Sequence, residues 1–432
     1  MSRTREITSR RHPWSTALWG WRRETLGGLV TVVVLLVARS VAVRGPDVVV
    51  LAGLLVLVAS PTTRTRVRAQ LRRANQERLL QSVFWWVDLV GRDGRLPTLR
   101  SVAEIPAGAR YVLELPVGLD LEALDKRTGE IAAAFNAQSL RIRPWRGGAR
   151  YVEMVVLHTD PFVSEVASTL LERAARGPVS LWQPIELGVG EDGVSLRVDL
   201  PEHNLLIGGE PGAGKSVALT TLVAVAALDQ TCSLSLFDAK EVELIAWRDV
   251  AERFVGPSLS DGIAALEDLH ETLAARYRDL VATRRRKVNP GEGSGLQVVV
   301  IDELAYYLRG GEKAQRDRFA ELLRDLVARG RAAGIIVIAA TQKPSHEIVP
   351  TWIRDLFSYR LALRCTSPEA SDTILGQGWA TQGYSASGID PARRGVGYLL
   401  AEGGLPRMLR CAHLTDVDVS ALAARAREVR AC

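Results

Sequence analysis

The feature that most constrains this chain is a glycine-rich octapeptide between an apolar strand and an apolar helix. It reads Gly-Glu-Pro-Gly-Ala-Gly-Lys-Ser over residues 209–216, with an apolar run at 204–208 before it and another at 217–228 after it. The pattern GxxxxGK[ST] in a strand–loop–helix setting predicts a phosphate-binding loop. A glycine-rich turn that merely precedes Lys-Ser is the alternative, and the flanking strand and helix both argue against it.

The residue types in this loop each suit phosphate binding. Glycines let the backbone curl so that successive N–H groups point at one phosphate, and the helix N-terminus adds partial positive charge. We expect Lys215 to reach the β- and γ-phosphates, and Ser216 to offer Mg²⁺ a hydroxyl oxygen. The sequence therefore predicts ATP and Mg²⁺ as cofactors, with the nucleotide held by Gly209, Glu210, Pro211, Gly212, Ala213, Gly214, Lys215, Ser216 and Val217.

An acidic pair follows a run of β-branched residues. Residues 298–301 read Val-Val-Val-Ile and lead directly into Asp302 and Glu303. Such a run predicts a buried strand, and ligands of open α/β sheets bind beyond the carboxyl ends of strands. We expect Asp302 to hold Mg²⁺ through water, and Glu303 to orient and deprotonate the attacking water. A strand that ends in solvated acids is the alternative.

Two more predicted strands end in polar residues. The run at 335–340 leads into Thr341 and Gln342, and the run at 234–237 leads into Asp238, Ala239 and Lys240. We expect Gln342 to sense the γ-phosphate, although a simple strand cap would read the same way. The sequence leaves the role of Lys240 open.

Two arginines close a predicted helix over about 313–330. Arg329 and Arg331 flank its end, just before the strand at 335–340. An arginine here could face a neighbouring subunit and stabilise transition-state charge there, a contribution of about 10³–10⁵ in rate where such residues act. The alternative is a cationic helix end that interacts favourably with the helix dipole.

Composition narrows the class of protein. The chain has 432 residues, 47% of them apolar, with a net charge of +6, which suits an α/β protein of two or three domains. A basic balance is compatible with nucleic acid or an anionic membrane surface but decides nothing alone. The cysteines are widely spaced without a Cys-x-x-Cys pair, which argues against a zinc site or disulfide framework and favours reduced thiols in a cytosolic compartment.

The N-terminal region carries two apolar runs, at 26–38 and 48–59, joined by a linker that contains Gly45 and Pro46. Arginines cluster before the first run and after the second, which places both flanks in the cytoplasm by the positive-inside rule. We therefore predict two transmembrane helices in the plasma membrane, with the rest of the chain cytoplasmic. A secretory signal peptide and a pair of buried core elements are the alternatives; no small-residue cleavage site supports the former.

The sequence divides into four predicted regions. Residues 1–62 form the membrane-anchor hairpin, 63–178 a small α+β linker or oligomerisation domain, 179–415 the α/β motor domain and 416–432 a C-terminal tail. Within the linker domain, 110–116 and 151–157 read as strands and 119–135 as a helix.

At this point the residues resemble the FtsK/SpoIIIE family of DNA translocases. The blocks that carry the resemblance appear in the family's order and cover about 180–415; they are 203–216, 237–244, 298–305, 330–364 and 371–378, with Arg276-Tyr277 between the second and third. The resemblance implies a RecA-like P-loop NTPase fold, a homo-hexameric ring and double-stranded DNA threaded through its pore. It also places the arginine that acts in trans at the Arg-Ala-Ala-Gly block, and so favours Arg331 over Arg329.

Within the family, the chain looks most like the Tra/TraB-type transfer proteins of actinomycete conjugative elements, which have a short membrane anchor and one motor. Two departures from the chromosome translocases matter. Those proteins have more membrane helices with a long linker, and they end in a winged-helix domain. Here the last predicted motor strand is about 396–401, and only a short segment follows, which puts sequence-directed loading in doubt.

A translocase must hold DNA by its phosphates, without reading bases. The basic cluster Arg284, Arg285, Arg286 and Lys287 precedes a glycine-rich stretch where the family has a pore loop, and Lys343 and Arg354 fall in its second pore loop. We expect these residues to contact DNA. Solvated helix ends or loops are the alternative for both groups.

These inferences predict a membrane-anchored, ATP-driven double-stranded DNA translocase that serves conjugative transfer between cells. A chromosome-segregation pump at the septum and a protein-export ATPase of the type VII secretion class are the alternatives. A membrane-tethered assembly factor that binds ATP only for regulation is less compatible with Lys215, Asp302, Glu303 and Arg331 all being present.

Overall fold

The computed structural model describes residues 61–145, 148–342, 344–345 and 350–431. The predicted membrane hairpin lies almost wholly outside the described residues, and so does Lys343. Within the described part of the chain, no helix combines the length and apolar character needed to span a bilayer. The chain divides into two compact units, the first ending at Met154 and the second beginning at Val155, apart from short exchanged segments at 104–109 and 136–139.

The first unit is built around one long helix and a four-stranded sheet with strand order β1-β2-β4-β3. Its elements are α1 (Pro61–Trp86), β1 (Thr98–Ile105), β2 (Gly108–Glu114), α2 (Leu121–Asp125), α3 (Thr128–Ala134), β3 (Ser139–Pro144) and β4 (Tyr151–Leu157). The single helix predicted over 119–135 is thus two short helices. The first is capped by Asp120, whose carboxylate accepts from the Ala123 N–H at 2.8 Å.

The second unit holds the remaining strands and helices. Its strands are β5 (Val166–Ala167), β6 (Ile185–Gly190), β7 (Ser195–Val198), β8 (Leu205–Gly208), β9 (Ser233–Phe237), β10 (Arg253–Val255), β11 (Gln297–Ile301), β12 (Ile335–Thr341), β13 (Tyr359–Leu363), β14 (Val396–Leu400) and β15 (Arg407–His413). Its α-helices are α4 (Leu170–Arg176), α5 (Lys215–Leu228), α6 (Leu259–Ala282), α7 (Leu304–Arg309), α8 (Lys313–Arg329), α9 (Thr351–Arg354), α10 (Pro368–Leu375) and α11 (Asp416–Ala431).

One large sheet organises this unit, in the order β10-β9-β11-β12-β8-β13-β14-β15-β6-β7. In this spatial order, the strands β10, β9, β11, β12, β8 and β13 are all parallel. The strands β14, β15, β6 and β7 follow, and each pairs antiparallel with the strand before it. Strand β12 lies between β8 and β11, so the strand before the glycine-rich loop does not pair with the strand before the acidic pair. The result is a mixed α/β P-loop NTPase fold.

Helices cover both faces of this sheet. On one face, α5 packs with apolar residues of α4 and α11; on the other, α6 and α8 share an apolar core with β11 and β12, and α10 packs against β13 and β8. Every residue of β11 and β12 is buried. A parallel strand covered on both faces needs a continuous apolar run, and these two strands are therefore easily recognised in the sequence.

The C-terminal region extends the motor domain beyond what the sequence predicted. A further strand, β15, follows β14, and the predicted tail is the helix α11, which packs on α5. Near its end, Arg430 donates to four backbone carbonyl groups around the C-terminus of α5, where a cation is favoured by the helix dipole; they belong to Ala226, Ala227, Asp229 and Cys232. The strand β5 pairs with β15, so the compact unit also begins earlier than the predicted boundary at 178.

Three buried cysteines, Cys232, Cys365 and Cys411, are free thiols. Burial raises the pKa of each thiol to about 12. Because the thiolate is the reactive form, these side chains behave as small apolar core residues at neutral pH.

Candidate nucleotide site

The parallel strands bring the predicted site residues to one edge of the sheet. Thr341 of β12 pairs with Gly208 of β8, while Ile301 of β11 pairs with Ala339 of β12. The carboxyl ends of β8, β11 and β12 therefore lie side by side. The glycine-rich loop, the acidic pair and the polar end of β12, far apart in the sequence, meet there, as expected for ligand sites in open α/β sheets.

Two glycines give the loop its shape. Gly212 and Gly214 have φ angles of +80° and +98°, in the left-handed region that side chains disfavour. A Cβ atom at Gly214 would also lie 2.4 Å from the backbone nitrogen of Gly395, so a larger residue has no room. The helix α5 begins directly afterwards at Lys215, which places its N-terminus and its unpaired N–H groups at the loop.

Lys215 forms a buried ion pair with the first acid of the pair. Its Nζ donates to the backbone oxygen of Asp302 at 3.0 Å and lies 3.3 Å from the carboxylate Oδ1. The Lys215 side chain is 6% exposed and that of Asp302 1%. Burial raises the pKa of Asp302, and the nearby Lys215 ammonium opposes that shift.

The residues around Asp302 fit a hydrated Mg²⁺. The second carboxylate oxygen, Asp302 Oδ2, is buried and has no hydrogen-bond partner among the described residues. A buried oxygen of this kind suits a contact with a water molecule or an ion. The Ser216 hydroxyl donates to Glu243 at 2.8 Å, which leaves its oxygen lone pairs available. Within the described residues, no group of three or more His, Cys, Asp or Glu could hold a metal, so phosphates and water would complete the sphere.

Glu303 is held by the end of the neighbouring strand. The Thr341 hydroxyl donates to its Oε1 at 2.9 Å, and the Gln342 backbone N–H donates to its Oε2 at 3.1 Å. The same carboxylate caps α7 through the Ala305 N–H at 3.4 Å. The carboxylate expected to act as base is thus joined by hydrogen bonds to the residues expected to sense the γ-phosphate.

A cavity of about 250 Å³ lies over the loop. It is lined by residues 210–212 and 214–217 and by Glu243, Gln342 and Arg394. Gln342 lines this cavity, and its backbone N–H donates to Glu303. The cavity therefore brings together the predicted loop residues and one predicted sensor.

Three residues of this region were missed by sequence reasoning. Glu243 receives the Ser216 hydroxyl, Arg364 forms a 2.6 Å ion pair with Glu210, and Arg394 lines the cavity. Glu243 belongs to a block already noted for its family resemblance, and Arg364 directly follows the β13 strand. Glu243 and Arg364 could therefore have been proposed from the sequence. Arg394 lies in a loop after α10, where no sequence pattern pointed to the site.

Arg331 lies at the opposite end of β12 from the nucleotide site. It sits in a 3₁₀ turn, Gly330–Ala333, that enters the seven-residue strand β12, whereas Gln342 follows that strand. At about 3.3 Å per residue the strand spans roughly 20 Å, so Arg331 cannot reach the site of its own chain. Its side chain is 38% exposed, with Nη2 3.6 Å from Glu402.

The Arg-Tyr pair on α6 holds this turn in place. Arg276 donates to the backbone oxygen of Ala333 at 2.8 Å, and the Tyr277 hydroxyl donates to that of Arg329 at 2.9 Å. Burial lowers the pKa of Arg276, although an arginine side chain stays protonated in proteins. The pair therefore positions the segment that carries Arg331.

The basic cluster after α6 has two exposed arginines and two residues that form ion pairs. Arg284 and Arg286 are exposed. Arg285 pairs with Asp279 at 2.8 Å, and Lys287 pairs with Glu202 at 2.5 Å. Arg284 and Arg286 are thus the members best placed to meet a phosphate backbone.

Arg354 does not match its predicted role as a DNA contact. Its side chain is 6% exposed, and its Nη2 lies 2.8 Å from Asp355 Oδ1. The segment folds into the short helix α9, which turns this guanidinium inward beside the acid that follows it. In this conformation Arg354 is a structural ion pair.

Substitution of Lys215 by Ala is expected to remove measurable ATP binding, a loss of at least about 100-fold. Charge-assisted hydrogen bonds to two phosphates are lost, each worth about 1.5–3 kcal/mol. Isothermal titration with ATP and Mg²⁺ measures this. The substitution also leaves the buried Asp302 carboxylate without its ion-pair partner. The double variant Lys215→Ala, Asp302→Asn removes both charges of that pair. ATP binding by this variant in its folded form would contradict the prediction.

The sequence comparisons point to one family. A model of the FtsK/SpoIIIE family matches residues 169–374, which include Lys215, Asp302, Glu303 and Arg331. The DNA translocase FtsK of Corynebacterium glutamicum is 26% identical over 391 residues, covering 84% of this chain and 40% of that protein. The DNA translocase FtsK of Mycobacterium tuberculosis is 27% identical over 352 residues, covering 75% and 40%. The chain spans about two fifths of these relatives.

Solved structures with the same fold include a protein with bound ATPγS and a pair of ATPase domains. The pCW3 conjugation coupling protein TcpA, in a monomer form with ATPγS, has a TM-score of 0.55 at 18% identity and covers 82% of this chain and 99% of that one. ATPases 2 and 3 of EssC from Geobacillus thermodenitrificans have a TM-score of 0.50 at 14% identity, covering 62% and 52%. The match over residues 169–374 shows that the chain contains an ATPase domain of the FtsK/SpoIIIE family, and the solved structures show its fold.

Proposed function

We propose that the chain is an ATP-driven translocase of double-stranded DNA. The observation that carries this proposal is the meeting of Lys215, Asp302 and Glu303 at one sheet edge, with Glu303 bonded to the end of β12. A site that only binds nucleotide does not need a carboxylate base at that position. The DNA translocase relatives support DNA as the substrate, since their name says that they move DNA.

The residues divide the chemistry between them. The loop amides and Lys215 bind the phosphate chain, and Lys215 would exchange its present contact with Asp302 for contact with phosphate. Ser216 and Asp302 would hold Mg²⁺, which neutralises phosphate charge when bound. Glu303 orients the attacking water and accepts its proton, and Gln342, which lines the cavity, would sense the γ-phosphate.

We further propose that the motor works as a homo-hexameric ring. The roughly 20 Å between Arg331 and its own site supports a role in trans, because an arginine so placed can only serve the site of a neighbouring copy. The exposed Arg284 and Arg286 would contact DNA phosphates. Such contacts carry no sequence information and weaken steeply with salt.

We propose a membrane anchor and a role in conjugative DNA transfer on the sequence alone. The two apolar runs at 26–38 and 48–59 with their arginine-rich flanks support two spans and a cytoplasmic motor. The resemblance to conjugative transfer proteins supports the transfer role over a chromosome-segregation pump. Membrane fractionation of the full chain, compared with a chain that begins at residue 61, tests the anchor.

The ATPase rate with and without linear duplex DNA tests the translocase proposal. We expect strong stimulation by duplex DNA that falls as salt rises. Stimulation by a secreted polypeptide in place of DNA would favour a protein-export ATPase. Absence of turnover under both conditions would favour an assembly factor that only binds ATP.

A further inference from the structure

The loop before β14 is attached to the phosphate-binding loop through its backbone. The Gly395 N–H donates to the Ala213 backbone oxygen at 2.9 Å, and a Cβ at Gly214 would overlap Gly395. Gly395 itself is buried. The residue immediately before it, Arg394, therefore has its backbone fixed beside the phosphate-binding loop.

The Arg394 side chain reaches over that loop into the cavity. It is among the residues that line the 250 Å³ cavity, and its Nη2 lies 3.8 Å from the position of a Cβ at Gly212. Among the described residues its guanidinium has neither a hydrogen bond nor an ion pair. Its neighbour Arg393 differs, because it pairs with Asp160 at 2.7 Å.

The other charged residues that line the cavity already have ion-pair or hydrogen-bond partners. Lys215 pairs with Asp302, Glu210 pairs with Arg364, and Glu243 accepts from the Ser216 hydroxyl. Arg394 is thus an exposed cation beside an anion-binding loop, with no carboxylate close enough to neutralise it. A guanidinium is charged at any relevant pH and can bind two phosphate oxygens at once.

We propose that Arg394 binds a phosphate group of the nucleotide from within the same chain, as a second cation beside Lys215. This inference rests on the proposed ATP site and adds a residue to it. Because Arg394 is attached through Gly395 to the phosphate-binding loop, the contact would form with little movement of the backbone. The close approach of Gly214 and Gly395 serves the same contact.

The test compares Arg394→Ala with Arg393→Ala, which removes the same charge from the adjacent position. We expect Arg394→Ala to weaken ATP binding about tenfold, the scale of one charge-assisted hydrogen bond. Arg393→Ala should stay within about twofold. Thermal unfolding of both variants checks folding, and Arg394→Lys, which keeps the charge, should recover part of the affinity.

Inorganic tripolyphosphate identifies the group that is bound. Because it lacks base and ribose, its competition for the site should weaken in Arg394→Ala as much as ATP binding does. Equal ATP affinity in the Arg394→Ala and Arg393→Ala variants would overturn the inference while the ATP site itself stands. Loss of ATP affinity with unchanged tripolyphosphate competition would also overturn it, since the contact would then be to base or ribose. Failure of the unsubstituted chain to bind ATP would overturn the proposed function as well.

Discussion

Replacement of Glu303 by Gln is expected to leave ATP bound but unhydrolysed, with turnover reduced by about 10²–10⁴. The amide cannot accept the proton of the attacking water, and general-base catalysis contributes a factor of that size. Its oxygen can still accept from the Thr341 hydroxyl, the Ala305 N–H and the Gln342 N–H, whereas the contact of the Gln342 N–H with Oε2 is lost. Single-turnover hydrolysis, measured beside equilibrium ATP binding, separates the two effects.

Glu312→Gln is the matched control for this prediction. Glu312 is an exposed residue that precedes α8 without capping it through its side chain, so the same chemical change there should alter neither binding nor turnover. Normal turnover by Glu303→Gln would show that another group activates water, and the base assignment would be wrong.

The strands and loops of this site were predictable because each has a strong local signal. A continuous β-branched run such as that of β11 can only be a buried strand, and a glycine-rich loop before Lys-Ser can serve few purposes other than phosphate binding. The order of strands was not predictable. Nothing local in β8 or β11 states that β12 lies between them, because that order is set by helices packing on both faces of the sheet.

Contacts across long sequence separations explain most of what the sequence did not reveal. The ion pair of Lys215 and Asp302 joins residues 87 positions apart, and the approach of Arg394 to Gly212 spans more than twice that separation. The inward turn of Arg354 depends on a four-residue helix, too short to leave a periodic pattern. The helix α11 carries apolar positions but looked like a tail because its partner, α5, lies far earlier in the chain.

The choice between Arg329 and Arg331 shows how structure adds to a motif. Both arginines end the same helical segment, and the helix dipole would favour either one. Arg329 is engaged within its own helix, 2.8 Å from Asp325 and over the ring of Tyr277. Arg331 lies in the turn that Arg276 fixes from α6; its Nε donates to the Glu202 backbone oxygen at 2.5 Å, and its Nη2 lies 3.6 Å from Glu402. Arg331 thus keeps a partly exposed side chain whose Nη2 a neighbouring nucleotide could contact.

Substitution of Arg331 by Ala is therefore expected to reduce ATP turnover by about 10³–10⁵, with ATP binding by the isolated chain unchanged. The lost charge acts on the transition state of a neighbouring copy, so the effect should fall on the rate of hydrolysis at saturating ATP. Steady-state kinetics, with duplex DNA present, measure it. The matched control is Arg329→Ala, which removes the same charge two positions away and should change turnover by less than about tenfold.

Mixing two inactive variants tests whether Arg331 acts in trans. A chain with Arg331→Ala keeps its own Glu303, and a chain with Glu303→Gln keeps its own Arg331. In a mixed ring, some sites combine the intact Glu303 of one copy with the intact Arg331 of its neighbour, so the mixture should recover part of the lost turnover. If Arg331 instead served its own site, every copy would lack one essential group and no activity would return. Either that failure or full activity of Arg331→Ala alone would remove the case for a ring built on this contact.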